Sequence, residues 1–149
     1  MNYKIPPSLQ AEHAELHARL EAFTKLPGKT GEAAKDVAKL LHPHFVKEEE
    51  FALPPLGLLP DLAKGQTTSD MKGAIAMTDK LKADWQQMLA EHQRIVGSLE
   101  RLRQAGVEEQ NADAIRFTES LKLHAKTEEE VLYPTAILVG EYLKLKRSR

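Results

Sequence analysis

The sequence predicts an all-α protein: a four-helix bundle with a short extra helix at the C-terminal end. Three observations lead there. Apolar residues recur at spacings of mostly three, four or seven along four segments, the stripe of a helix that faces a bundle core. Proline and glycine clusters fall between those segments. The length of 149 residues, 42% hydrophobic and 29% charged, suits one soluble domain spanning residues 1–149.

Taken in chain order, Pro6, Pro7 and Ser8 open the first helix, with Ser8 as the expected N-cap, and Pro27-Gly28 closes it. Thr30 is the expected cap of a second helix that runs to about Leu53, where Pro54-Pro55 stops it. Pro43 inside that helix is expected to bend it. Residues 54–68 carry three prolines and two glycines and read as a loop. A long third helix starts at Ser69 or Asp70 and ends near Gly106. Asn111 caps the fourth, which Pro134 ends or kinks before a short helical tail.

The stripes name the core: Leu9, Leu16, Leu20 and Phe23; Val37, Leu41 and Phe51; Trp85, Met88, Ile95, Leu99 and Leu102; Phe117, Leu121 and Val131. Each stripe has a polar intruder. His13 interrupts the first, His44 and Glu48 the second, His92 the third, His124 and Glu128 the fourth. All six therefore point inward. An unpaired buried carboxylate costs several kcal/mol, and an unbonded imidazole about 1–3. Six of them would consume a typical domain stability of about 5–15 kcal/mol. Metal binding relieves all six at once. The two His–Glu pairs are four residues apart, so each pair shares one helix face, with Cβ atoms ~5–6 Å apart. Two such pairs plus two lone histidines make a cage for two metals. If each glutamate bridges and each metal takes two histidines, a solvent oxygen bridge leaves one octahedral position per metal for a small ligand.

The chain repeats itself. AEHAELHARLE at 11–21 matches AEHQRIVGSLE at 90–100, and HFVKEEEFALPP at 44–55 matches HAKTEEEVLYPT at 124–135, at offsets of 79 and 80 residues. Each half supplies one His–His–Glu set. With this doubled EH…HxxxEE…P motif, the sequence resembles the hemerythrin-like family, specifically its His–His–Glu cation-binding branch, over nearly the whole chain. The resemblance implies an up-down-up-down bundle around a non-haem di-iron centre, oxo- or hydroxo-bridged. It implies His13, His44, Glu48, His92, His124 and Glu128 as the ligands. It also implies a small gas partner: dioxygen, nitric oxide or peroxide.

The sequence departs from the oxygen-carrying members, which resemble one another in a His-xxx-His pair on the third helix. Here Val96 stands four after His92 and Met88 four before it. Those members also carry an aspartate five after the last histidine, where this chain has Glu129. A fifth histidine ligand is missing unless His17 supplies it. This favours the four-His, two-Glu branch of iron-centre repair and sensing proteins, whose usual cysteine-containing N-terminal segment has no counterpart here. His42 reads as exposed. Glu49, Glu50, Glu129 and Glu130 read as solvated or lysine-paired, though Glu49 or Glu129 becomes a ligand if its helix is locally distorted. Tyr133 either faces the site or caps the bundle.

The remaining composition is mostly exclusion. There is no cysteine, hence no thiolate zinc site, iron–sulfur cluster or thiol nucleophile. An imidazole–carboxylate set for two metals suits iron best, manganese second, with zinc a substitute where iron is lacking. A net charge of -1 and only a small terminal basic run (Lys144, Lys146, Arg147, Arg149) point away from nucleic acid and anionic membranes. No apolar run approaches the roughly 20 residues that span a bilayer. MNYKIPPSLQ lacks the apolar core of a signal peptide, so the expected location is the cytoplasm, as a monomer or weak homo-oligomer. Three functions remain. The first is reversible binding of a diatomic ligand for sensing, storage, stress defence or iron-centre repair. The second is a di-iron enzyme that decomposes peroxide or reduces nitric oxide. The third is a metal-dependent structural or regulatory bundle.

Overall fold

A computed structural model describes residues 3–147, so Arg149 of the basic run lies outside the described residues. Helix α1 spans Pro7–Thr24 and α2 spans Gly28–Lys47. A single π-helical turn, Glu48–Ala52, continues α2 into a 3-10 turn, Pro54–Leu58, and a short α3, Leu59–Ala63. A 3-10 turn at Ser69–Lys72 leads into α4, Gly73–Ala83, and then α5, Trp85–Glu108. Helix α6 spans Ala112–Thr127, a second π turn covers Glu128–Leu132, and α7 spans Tyr133–Arg147. Among the described residues there is no strand.

The bundle is built from α1, α2, α5 and α6. Each packs on two others: α1 on α2 and α6, and α5 on α2 and α6. Below it, α4 packs on α7, extending the third and fourth columns. Two apolar clusters fill the interior. One holds Leu16, Leu20, Val37, Leu41, Ile95, Leu99, Phe117 and Leu121. The other holds Phe51, Leu53, Leu56, Met88 and Tyr133. Leu41 and Phe51 flank His44, Met88 and Ile95 flank His92, and Leu121 and Tyr133 flank His124, so the polar layer sits between two apolar ones.

Several local expectations change. Ser8 lies inside the first turn of α1, whose N-cap position is Pro6 with no side-chain cap. Thr30 is likewise inside α2. The free N–H groups there go to the Glu109 carboxylate instead, at 2.7 Å from the Thr30 nitrogen and 3.2 Å from that of Lys29. A carboxylate brought from the far end of α5 thus meets the positive end of α2. Helix α2 does contain Pro43, where the sequence places it. The Pro54–Thr68 loop contains a 3-10 turn and α3. The long third helix is broken at Asp84, whose backbone (φ -92, ψ 5) leaves the helical region between α4 and α5. Asn111 does cap α6, accepting from the Ala114 nitrogen at 3.0 Å.

The two π turns are the main departure from regular helix. Each begins at a site glutamate and ends just before a proline, Pro54 or Pro134. Proline lacks an N–H and crowds the carbonyl four residues back. A wider turn ahead of it accommodates both defects, and the Leu53 nitrogen reaches back five residues to the Glu48 carbonyl at 2.9 Å. The extra residue shifts the phase of the helix beyond it. Val131, expected in the core, is 53% exposed, and Tyr133, five after Glu128, is fully buried in its place. The tail is a 15-residue helix that begins at Tyr133, longer than the sequence predicts.

Helix α7 approaches α4 closely because position 140 has no side chain. A β-carbon on Gly140 would lie 1.8 Å from Thr78 Oγ1 and 2.7 Å from its Cβ. Gly140→Ala is expected to cost about 1–3 kcal/mol in chemical denaturation, and adding Thr78→Ala to recover part of that loss. Equal stability of Gly140→Ala and the parent chain would show that the contact does not set the helix spacing.

Candidate metal centre

Helices α1, α2, α5 and α6 each deliver one histidine, and the two π turns each deliver one glutamate. His13, His44, His92, His124, Glu48 and Glu128 are all buried, with Glu48 fully so. The rings form two pairs, His44 with His92 at 4.6 Å between centroids and His13 with His124 at 5.0 Å. The carboxylates span both pairs. Glu128 places Oε1 at 3.1 Å from His92 Nε2 and Oε2 at 3.0 Å from His124 Nε2 and 3.5 Å from His13 Nε2. Glu48 places Oε2 at 3.6 Å from His44 Nε2 and Oε1 at 3.7 Å from His13 Nε2. Two groups that could each hold a metal ion result: His44, Glu48, His92 and Glu128, and His13, His124 and Glu128, each with its donor atoms within 4.8 Å of one another.

These contacts do not satisfy each other. Glu48 Oε1 and Glu128 Oε2 are buried without a hydrogen bond, since the nearby Nε2 atoms stand at ion-pair distance but not in hydrogen-bond geometry. His13 Nε2 and His124 Nε2 face each other at 3.2 Å. Orphaned carboxylate oxygens and opposed ring nitrogens are what a cation between them would resolve, so the residues present fit a metal.

The outward nitrogens are fixed by a ring of further carboxylates. His44 Nδ1 donates to Glu91 at 2.8 Å, His92 Nδ1 to Glu129 at 2.9 Å, and His124 Nδ1 to Glu12. His13 Nδ1 lies 3.9 Å from Glu49 and makes no hydrogen bond. Carboxylates so placed hold the Nδ1–H tautomer and aim the Nε2 lone pairs inward. Glu129, and more loosely Glu49, thus face the histidines from outside the cluster, whereas the sequence has them solvated, lysine-paired or ligating. Sequence reasoning also passes over Glu12 and Glu91. The signal is present in the repeat, where each lone histidine is preceded by glutamate in AEH. His17 does not enter the cluster. It is exposed and faces His42 at 6.3 Å between ring centroids. Tyr133 faces the site, its hydroxyl donating to Glu48 Oε2 at 2.5 Å.

The protein groups polarise one another strongly. Burial, with Glu128 alongside, pushes the Glu48 carboxyl up to about 7. Burial acts on Glu128 the same way, but Glu48 and the facing imidazoles outweigh it and hold that carboxyl well below its usual range. Burial opposes charge on His124, yet Glu128 and Glu12 prevail and lift the ring to about 9. One carboxyl raised and its neighbour lowered is how two like charges share a buried site. A divalent cation favours ionised carboxylates and neutral imidazoles together.

A groove of ≈ 320 Å³ opens from solvent onto His13, lined also by His17, His42, Phe45 and Glu49. The larger cavity of ≈ 960 Å³, by Tyr3, Pro54 and Leu59, is apolar and contains none of the six buried residues.

A helical bundle with a buried histidine–glutamate layer of this kind is a metal-binding domain. The chain belongs to the hemerythrin family, by the match of residues 7–136 to the model of the hemerythrin HHE cation-binding domain. Comparison with curated proteins and with solved structures gives no significant match. Among the described residues, no helix is long and apolar enough to cross a membrane.

Glu129→Ala is expected to weaken metal binding about 10–100-fold, by freeing the His92 ring, with helix content unchanged. Competition against a chromophoric chelator measures this. An affinity equal to that of the parent chain would remove Glu129 from the support of the site.

Proposed function

We propose that the chain holds two iron ions and binds a diatomic gas, dioxygen or nitric oxide, for sensing, storage or defence of iron centres under stress. The carrying observation is that each buried glutamate turns one oxygen to each histidine pair. His44 and His92 would hold one ion, His13 and His124 the other, and Glu48 and Glu128 both. Imidazole and carboxylate together favour iron over the alternatives, with manganese next and zinc a substitute. The iron pair, when bound, supplies coordination and electrons to the gas.

The chain's own residues do the rest. Glu12, Glu91 and Glu129 fix three histidine rings in the tautomer that turns Nε2 inward. The apolar layers of Leu16, Leu41, Met88, Ile95 and Leu121 exclude bulk water from either side. The groove at His13 offers a small molecule an approach from solvent.

Anaerobic iron loading of the full chain, followed by oxygen and then nitric oxide under absorption spectroscopy, tests the reading. About two irons per chain are expected, the number that helical-bundle di-iron sites hold, with a reversible optical change on each gas. His124→Ala and Glu128→Ala are expected to lower the iron content. Unchanged iron in both variants would remove them from the ligand set. Consumption of many gas or peroxide molecules per site would replace gas binding with catalysis, and iron uptake with no gas response would leave a structural metal.

A further inference from the structure

The two halves of the repeat are not equivalent at the site. Tyr133 corresponds to Leu53 at the offset of 80 residues. Both side chains are buried, but only one carries an oxygen. That oxygen sits 2.5 Å from Glu48 Oε2 and 3.2 Å from both His44 Nε2 and His92 Nε2. The ring is held there by His92, stacked at 5.6 Å between centroids, and by the edge of Trp85 at 6.0 Å.

Hydrogen bonding alone does not account for this convergence. In the neutral rings that a metal requires, His44 and His92 give their Nδ1 protons to Glu91 and Glu129, and both Nε2 atoms then present lone pairs to the phenol oxygen. The hydroxyl has one proton to give and three acceptors around it. Two of the three are left unanswered in a site with no exposure to water. A cation among these four atoms answers every one, the phenol oxygen included, and hard oxygen ligands suit ferric iron.

We infer that Tyr133 is a further protein ligand, as phenolate, to the metal held by His44 and His92. This rests on the iron pair proposed above. Ligation transfers the phenolic proton to solvent and leaves the oxygen bound to the ion, with no change in electron count. The other position has Leu53 in the equivalent place, so the open coordination falls on the side of His13 and His124, where the groove reaches.

The test loads the full chain with ferrous iron, oxidises it with ferricyanide, and records visible absorption and resonance Raman spectra. A phenolate-to-ferric charge-transfer band is expected, with tyrosine ring vibrations enhanced on exciting it. Tyr133→Phe is expected to lose the band while keeping the iron content of the parent chain. The variants Tyr3→Phe and Tyr142→Phe, the other two tyrosines, are expected to keep it. Two irons in the parent chain without enhanced tyrosine modes would overturn the inference and leave the iron pair standing. So would a Tyr133→Phe chain that keeps the band. If Tyr133→Phe does not fold, the parent spectrum decides together with the other two variants. A chain that takes up no iron would overturn both readings.

Discussion

Charge inside an apolar bundle is the constraint on which this structure turns. Four imidazoles and two carboxylates occupy a layer between two greasy clusters. Taking a carboxylate out of water costs several kcal/mol unless a partner answers it. The protein groups answer one another only in part. Glu48 is driven up, Glu128 down, and two of their oxygens have no hydrogen bond. Cations in the layer would convert mutual repulsion into shared coordination, and the surrounding glutamates would then serve to aim the rings.

The helical periodicity that buries leucines also reveals where the chemistry is. His13, His44, His92 and His124 take the places of leucines in stripes that are otherwise unbroken, and all four are buried with their two glutamates. The bundle itself is legible for the same reason, since spacing encodes which face is covered. The π turns are not legible. They arise from the meeting of a proline with the carbonyl four residues before it, a matter of local geometry that a count of apolar residues does not register. Hence the stripe places Val131 inside and gives Tyr133 two possible positions. The break at Asp84 is hidden too, because the apolar phase continues across it. Capping by Glu109 is hidden because residues 80 apart in the chain supply it.

The internal repeat shows both in the arrangement and in its imperfection. The paired bonds His44–Glu91 and His124–Glu12 are one contact seen twice, as are His92–Glu129 and the looser His13–Glu49. The loosened member lies beside Phe45, whose ring stacks on His13 at 4.2 Å and whose counterpart in the second half is Ala125. The groove opens at that same corner. One half of the repeat thus has a tight, oxygen-rich pocket around Tyr133. The other has an apolar neighbour and contact with solvent. Under the proposed iron pair, two such unequal positions would suit one ion that is held and another that is approached.

Thermal unfolding of the chelator-stripped chain against the iron-loaded chain tests the central claim most directly. Ligand at a hundredfold excess over its dissociation constant stabilises a site by about 2.7 kcal/mol. For a domain of this size that is a rise of roughly 5–10 °C in Tm. Such a rise is expected, with near-native helix content in the loaded form at temperatures where the stripped form has lost it. Identical melting of stripped and loaded chains would contradict it, because the buried acids and imidazoles would then be tolerated without any cation.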